Sequence, residues 1–435
     1  MNEIIPFEFP DITDEEIRWI SRLLGLREDA FLGEVGTNPR KDVLKRKDSI
    51  DVSACPGSGK TTLLVAKLGI LAEKWQYQTR GICVLSHTNV AHKEIETRLG
   101  NTTAGRRLLN YPHFIGTIHG FVNEFLALPW LRSKGYLVKF IDDGFVEKKR
   151  RELINRNKKF KALKIWLENS EKYENKVDEW IVSSPQFDVL KKNGESVFKK
   201  PGQTSKQLKS LAESVISAGY HRHLEMFMWA EDLLSQVSNM RNVIRDRFPM
   251  LFIDEAQDNS EEQSKILFRI FMEGDNPVIR QRFGDGNQAI FDFKNAEEAA
   301  TDKFPNDEIK IDIPDSYRFG QIIADLADPL GLTPYCMKGQ GPKTPLQFEN
   351  SEGKHTIFIF EEDKADKVLD AYAELLLETF SEQELLNGTF TAIGMIHNDK
   401  GDNNKPRHVG HYWLSYDPAL SNRDPKLQSN VIFKN

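Results

Sequence analysis

The sequence predicts an α/β protein built on a parallel sheet, with a mainly helical insertion. Three observations carry that prediction. Ile50-Asp51-Val52-Ser53 is a β-leaning run that passes through a tight glycine turn into the apolar helical stretch Leu63–Leu68. Met250-Leu251-Phe252-Ile253 is apolar throughout and ends abruptly on two acids. Such runs fit strands covered on both faces, as in parallel sheets. Between these units, Phe121 to about Met240 is mostly of helical pattern. Strands alternating with helices indicate βαβ units.

The elements follow in order. Over Asp11–Leu26, residues Ile12, Ile17, Ile20, Leu23 and Leu24 share one helical face behind a Thr13 N-cap. Arg27–Lys47 reads as a polar, poorly structured connection. After the glycine turn, Gly81–Ser86 predicts a buried strand, Val90–Leu99 a helix and Phe114–Ile118 a short strand. Lys192–Ser205 reads as a mobile loop within the helical stretch. Met250–Ile253 and Val278–Phe283 return to buried strands. Ala327–Pro345, rich in Gly and Pro, reads as an interdomain hinge. A strand at Thr356–Phe360, a helix at Lys364–Phe380 and a strand at Phe390–Ile396 complete the pattern.

At 435 residues the chain is long enough for about two to four domains. Hydrophobic content of 39% and charged content of 29% are those of a soluble globular protein. No apolar run approaches a membrane span and no leader is evident, so a cytoplasmic location is expected. Cys55, Cys83 and Cys336 are odd in number and far apart, which predicts reduced thiols and no zinc site. The net charge of −6 is unevenly spread. Glu147–Ser210 holds 17 Lys and Arg against 9 Asp and Glu, on an otherwise acidic body. Such an island fits either a local nucleic-acid contact or a solvated, lysine-rich helical surface.

The glycine turn is the most informative stretch. Gly57 and Gly59 let the backbone close around phosphate oxygens, and the helix that Lys60-Thr61-Thr62 open directs free N–H groups and its positive end at the anion. Gly57, Ser58, Gly59, Lys60, Thr61 and Thr62 are therefore the candidate phosphate-binding residues. Lys60 supplies a mobile cation and Thr61 a hydroxyl for Mg²⁺. Asp254 and Glu255 stand at the C-terminal end of an apolar strand, where open α/β sheets bind ligands. Keeping two acids there is costly without a cation or a catalytic task. Asp254 is the candidate metal ligand and Glu255 the candidate base for an attacking water.

Ala54-x-x-Gly57-x-Gly59-Lys60-Thr61 resembles the phosphate loop of UvrD/Rep-like superfamily 1A helicases, and further stretches follow in that family's order. Asp254-Glu255-Ala256-Gln257-Asp258 has the family's acidic form. Gly284-Asp285-Gly286-Asn287-Gln288-Ala289-Ile290-Phe291-Asp292-Phe293 is similar to its third motif. There Gln288 would sense the γ-phosphate or the attacking water. Phe291 and Phe293 would either stack on bases or sit in the core. His87-Thr88-Asn89-Val90-Ala91 and Thr117-Ile118-His119-Gly120-Phe121 resemble the two short DNA-contact motifs. Thr88, Asn89 and Thr117 are then candidate DNA contacts, while His119 reads equally as a loop-ordering residue. Ser316-Tyr317-Arg318-Phe319 resembles Asn-Tyr-Arg-Ser, with Arg318 reaching the γ-phosphate and Tyr317 stacking on the nucleotide base.

The resemblance implies a RecA-like lobe 1A over residues 1–120 and 230–328. It implies a basic insertion 1B over 121–229 and a partial second RecA-like lobe 2A over 329–435. It implies ATP and Mg²⁺ as cofactors and single-stranded DNA as partner, in an ATP-dependent DNA helicase or translocase. Divergent members also serve bacterial antiviral defence, as in the Gabija helicase-like partner of an OLD-type nuclease, and such a nuclease is an expected partner here. A sensing ATPase that regulates a nuclease without unwinding is the alternative. The sequence departs from the family in three places. No adenine-reading glutamine is apparent before the loop, Lys294-Asn295 replace an Arg-Gly pair, and the last two motifs are not found.

Overall fold

The computed structural model describes residues 7–33, 38–88, 90–169, 177–289, 302–341, 356–361, 363–394 and 407–416. The chain divides into two compact units, Met1–Pro342 and Lys343–Asn435.

The first unit is organised by a six-stranded sheet whose strands all run parallel. They are β1 (Ile50–Ala54), β2 (Ile82–Ser86), β3 (Phe114–Thr117), β4 (Met250–Asp254), β5 (Ile279–Gly284) and β6 (Lys310–Ile313). Their spatial order is β6-β1-β5-β4-β2-β3. Successive strand residues face opposite sides. Ile82, Val84, Met250 and Phe252 enter one apolar core, and Cys83, Leu85, Leu251 and Ile253 the other. Both faces are thus covered, and this explains why the strands read as unbroken apolar runs.

Among the helices that build the first core are α1 (Asp14–Leu23), α2 (Pro39–Lys45) and α3 (Lys60–Lys74). As expected, Thr13 caps α1 in a capping box with Glu16. Every residue from Leu63 to Ala72 of α3 is buried, so this helix carries no polar face. Buried Lys67 is the exception in kind. Its Nζ donates to the carbonyls of Val43 at 2.6 Å and Arg46 at 2.7 Å, at the C-terminal end of α2. That lysine corrects the expectation for Arg27–Lys47. Within this polar stretch, α2 buries Val43 and Leu44 and is capped by a side chain from another helix.

The insertion has its own core. Val146, Ile154, Phe160, Leu163, Trp180, Leu208 and Leu211 form one cluster, and Leu131, Val182, Ile216, Met226 and Trp229 another. Buried Arg150 pairs with buried Glu225 at 2.9 Å. Lys192–Gly202 is turn and coil, and a helix begins at Gln203.

The hinge expectation is corrected through residue 341. Tyr335 and Met337 pack with Cys55 and Ala324, and Lys338–Gly339 pairs with Asp315–Ser316. Apolar residues within this Gly- and Pro-rich stretch hold it on the first unit. In the second unit the helix Val368–Thr379 forms, followed by Glu382–Asn387 and Val409–Tyr412. Neither strand expected there is observed: among the described residues, 356–360 and 390–394 pair with no strand. Ile357, Ile359 and Ile393 are exposed, so apolar β-branched content alone does not form a strand without a ladder partner. No helix among the described residues is long and apolar enough to cross a membrane.

Candidate nucleotide-binding site

The sheet's C-terminal edge gathers the sequence-predicted residues. The glycine loop leaves β1, Asp254 and Glu255 end β4, Asp285 follows β5, and Ser316–Arg318 lies just beyond β6. Gly57 has φ +77°, and a Cβ there would come 2.5 Å from Cβ of Arg318 and 2.7 Å from Oγ of Ser316. The loop and the arginine segment therefore need glycine at this position. Tyr317 N–H donates to the Gly57 carbonyl at 2.9 Å, and Ser316 Oγ to the Pro56 carbonyl at 2.7 Å. Gly59, at φ +83°, opens α3 with no side-chain cap, which leaves that helix end to an anion.

These elements enclose a cavity of about 270 Å³, lined by Pro56 to Thr62 with Glu94, Arg98, Glu255, Gln288 and Arg318. Lys60 Nζ lies 3.0 Å from Oε2 of Glu255. The same carboxylate oxygen accepts from Gln257 Nε2 at 2.8 Å. Glu255 itself has left-handed backbone, φ 50° and ψ 48°, a costly conformation for a residue with a side chain and one that clusters at functional sites. Gln257 Oε1 accepts from Asp285 N–H at 3.0 Å, and Gln288 Nε2 donates to Asp285 Oδ2 at 2.6 Å. Loop cation, candidate base and candidate sensor thus belong to one hydrogen-bonded chain.

Asp254 is buried behind this chain. Burial, then the neighbouring charge of Glu255, pushes its carboxyl up to about 7, against a smaller opposing effect of Lys60. A divalent cation offsets both causes, which fits Asp254 and Thr61 as its protein-side contacts. Among the described residues no group of three His, Cys, Asp or Glu side chains forms a metal cage.

Some participants were not visible in the sequence. Arg40 of α2 is buried, and its Nη2 donates to the Ser58 carbonyl at 3.1 Å and the Asp315 carbonyl at 3.0 Å. Its guanidinium sits 4.9 Å from the ring centroid of Tyr317, which is otherwise half exposed. Arg98 reaches Thr62 Oγ1 at 2.9 Å while paired with Glu94 at 2.6 Å. Tyr335 donates to Asp285 Oδ1 at 2.8 Å. Gln257 and Asp285 lay within recognised motifs without being singled out.

Of the candidate DNA contacts, Thr117 ends β3 and Thr88 lies two residues beyond β2, at the same sheet edge. The Thr88 carbonyl accepts from Ser86 Oγ. Thr117 Oγ1 accepts from Gly120 N–H at 3.0 Å and so caps the helix Ile118–Val122. His119 packs edge-on against Phe227 and His223, and burial lowers its pKa, as suits a loop-ordering residue. Asn89, Phe291 and Phe293 lie outside the described residues. Cys55 and Cys83 are buried free thiols and Cys336 an exposed one.

Residues 35–308 match the model of the UvrD/REP helicase N-terminal domain. A Gabija protein GajB of Bacillus cereus is 38% identical over 96 residues, which is 22% of this chain and 17% of that protein. DNA helicase II of Escherichia coli is 22% identical over 282 residues, 64% of this chain and 37% of the relative. A Gabija protein GajB from another Bacillus cereus strain is 22% identical over 292 residues, 57% of this chain and 42% of the relative. The chain spans less than half the length of these relatives.

Proposed function

Because this chain belongs to the UvrD/REP helicase N-terminal domain family, we propose that it is the ATP-hydrolysing part of a DNA helicase or translocase acting on single-stranded DNA. The observation that carries the reading is the convergence of Lys60, Glu255, Gln288 and Arg318 on one cavity at the mouth of the phosphate loop. Backbone N–H groups of Gly57 to Thr62 cradle the phosphates, and Lys60 leaves Glu255 for the outer ones. Thr61 and Asp254 would hold Mg²⁺ from the protein side, and the ion would supply neutralisation of phosphate charge. Glu255, freed of its lysine, accepts the proton of the attacking water. Gln288 orients that water, and Arg318 balances charge that develops on the γ-phosphate. Tyr317, braced by Arg40, stacks on the adenine. Residues 1–120 and 230–328, with the stretch to 341 held on them, act as lobe 1A, and 121–229 as insertion 1B. Thr88 and Thr117, with Asn89, Phe291 and Phe293 from their place in the sequence motifs, are the proposed DNA contacts.

The similarity to two proteins named Gabija protein GajB supports a role in antiviral defence; an OLD-type nuclease as partner belongs to this reading on the sequence resemblance alone. The test is Glu255→Gln. The variant is expected to bind ATP as the parent does and to lose DNA-stimulated phosphate release by about 10²-fold or more. Loss of binding together with turnover would show Glu255 to be structural. Stimulated hydrolysis without strand displacement on a tailed duplex, with and without the nuclease, would favour a sensing ATPase.

A further inference from the structure

Gln288 is held in place by a residue outside every motif of the sequence. Its Nε2 donates to Asp285 Oδ2 at 2.6 Å. Asp285 is fully buried, and its other oxygen accepts from Asn287 N–H at 3.0 Å and from the Tyr335 hydroxyl at 2.8 Å. A carboxylate only accepts, so the Gln288 amide is fixed with its nitrogen on Asp285, and its oxygen is the acceptor it can offer a water in the cavity. The Tyr335 hydroxyl in turn accepts from Ser53 Oγ of β1 at 3.2 Å. Burial, and the charge of Asp285, raise the pKa of the phenol, so it keeps its proton and donates.

Tyr335 belongs to a strap laid against the turn that carries Gln288. The Asn287 side chain clasps Thr333, donating from Nδ2 to its carbonyl at 2.8 Å and accepting its N–H on Oδ1 at 3.0 Å. A Cβ on Gly331 would come 2.8 Å from Asn287 Nδ2, so strap and turn are in close approach. Tyr335 N–H donates to Asp328 Oδ1 at 2.8 Å, and Gln340 N–H to the Ser316 carbonyl at 2.7 Å. The strap is thus anchored on both sides of Tyr335, whose side chain packs with Cys55, Ala324 and Met337.

We propose that Tyr335 is a positioning residue for ATP hydrolysis, acting on Gln288 through Asp285. This rests on the reading of Gln288 as the group that orients the attacking water. The hydroxyl holds the Asp285 carboxylate, and the carboxylate sets the rotation of the glutamine amide. Without the hydroxyl, Oδ1 keeps the Asn287 N–H alone of these two donors, and the buried charge turns to recover a partner. Gln288 moves with it. The ring of a phenylalanine at this position would still pack against Cys55, so the phosphate loop is left as it is.

The test is steady-state ATP hydrolysis by the full chain with single-stranded DNA, for the parent, Tyr335→Phe, Gln288→Ala and the double variant, beside titration with a fluorescent ATP analogue. Tyr335→Phe is expected to lower kcat by about 10-fold, with KM and analogue affinity unchanged, since misplacing a positioned group costs rate and not binding. The double variant is expected to be no slower than Gln288→Ala, because Tyr335 then has nothing to position. Equal kcat in parent and Tyr335→Phe overturns the assignment and leaves the hydrolysis reading intact. Losses that multiply in the double variant overturn it as well, by showing that Tyr335 acts apart from Gln288. Weakened analogue binding in Tyr335→Phe overturns it by assigning the tyrosine to support of the phosphate loop. Gln288→Ala at the parent's rate overturns the reading of Gln288 and this inference with it. A parent chain that does not hydrolyse ATP overturns the proposed function and this inference together.

Discussion

Lys60 and Glu255 share a hydrogen-bonded ion pair of 3.0 Å across the mouth of the phosphate loop, although 195 residues separate them. The loop cation and the candidate base each hold the other until a phosphate competes for the lysine. Binding and activation are thereby linked through one contact.

Lys60→Ala is expected to abolish triphosphate hydrolysis and weaken ATP binding strongly. Loss of one preorganised charge at a reacting phosphate commonly lowers turnover by about 10²- to 10³-fold. Phosphate release and titration with a fluorescent ATP analogue check this; unchanged turnover in the purified variant would falsify the assignment of the loop.

Asp254 gives a pH signature. Its folded carboxyl titrates at about 7, above its ordinary value of 3.8. From about pH 4 to pH 7 the folded chain holds a proton that the unfolded chain has lost, so this group makes stability fall as pH rises. The penalty is complete above pH 7 and on the order of 4 kcal/mol at most. Asp254→Asn should therefore melt higher than the parent at pH 8 and close to it at pH 4, without Mg²⁺. In the parent, Mg²⁺ is expected to raise the melting temperature more at pH 8 than at pH 6, because only the ionised carboxylate attracts the cation.

Asp51 and Arg282 face each other on neighbouring strands β1 and β5, both buried, with Nε to Oδ1 at 2.7 Å. Breaking such a pair leaves an uncompensated buried charge. Asp51→Ala is expected to cost about 3–5 kcal/mol in chemical denaturation. Replacing both residues with apolar side chains of similar volume should recover most of that loss. A single variant as stable as the parent would contradict the pairing.

The basic island is tested by reversing Lys158, Lys159 and Lys161, all exposed, to glutamate. Single-strand affinity is expected to fall and its salt dependence to flatten, since fewer counterions are released. Basal ATPase without DNA should not change. Identical affinity and identical salt slope would leave the island a solvated surface.

By itself the sequence determined what short-range physics can encode. Glycine spacing before a helix specified the phosphate loop, and apolar runs specified β2 and β4, the latter ending on Asp254 and Glu255. The Thr13 cap was readable because capping is settled within one helical turn. Hidden were contacts whose partners lie far apart along the chain. Lys67 on α2, Arg40 between Ser58 and Asp315, and Tyr335 on Asp285 have no local pattern. Among the described residues, the strands expected at Thr356–Phe360 and Phe390–Ile396 are not formed, for a related reason. A strand needs a neighbour to satisfy its backbone, and β-leaning composition does not supply one. Tertiary structure alone decided which side chain meets Lys60, because strand pairing and helix packing fix distances that the order of residues leaves open.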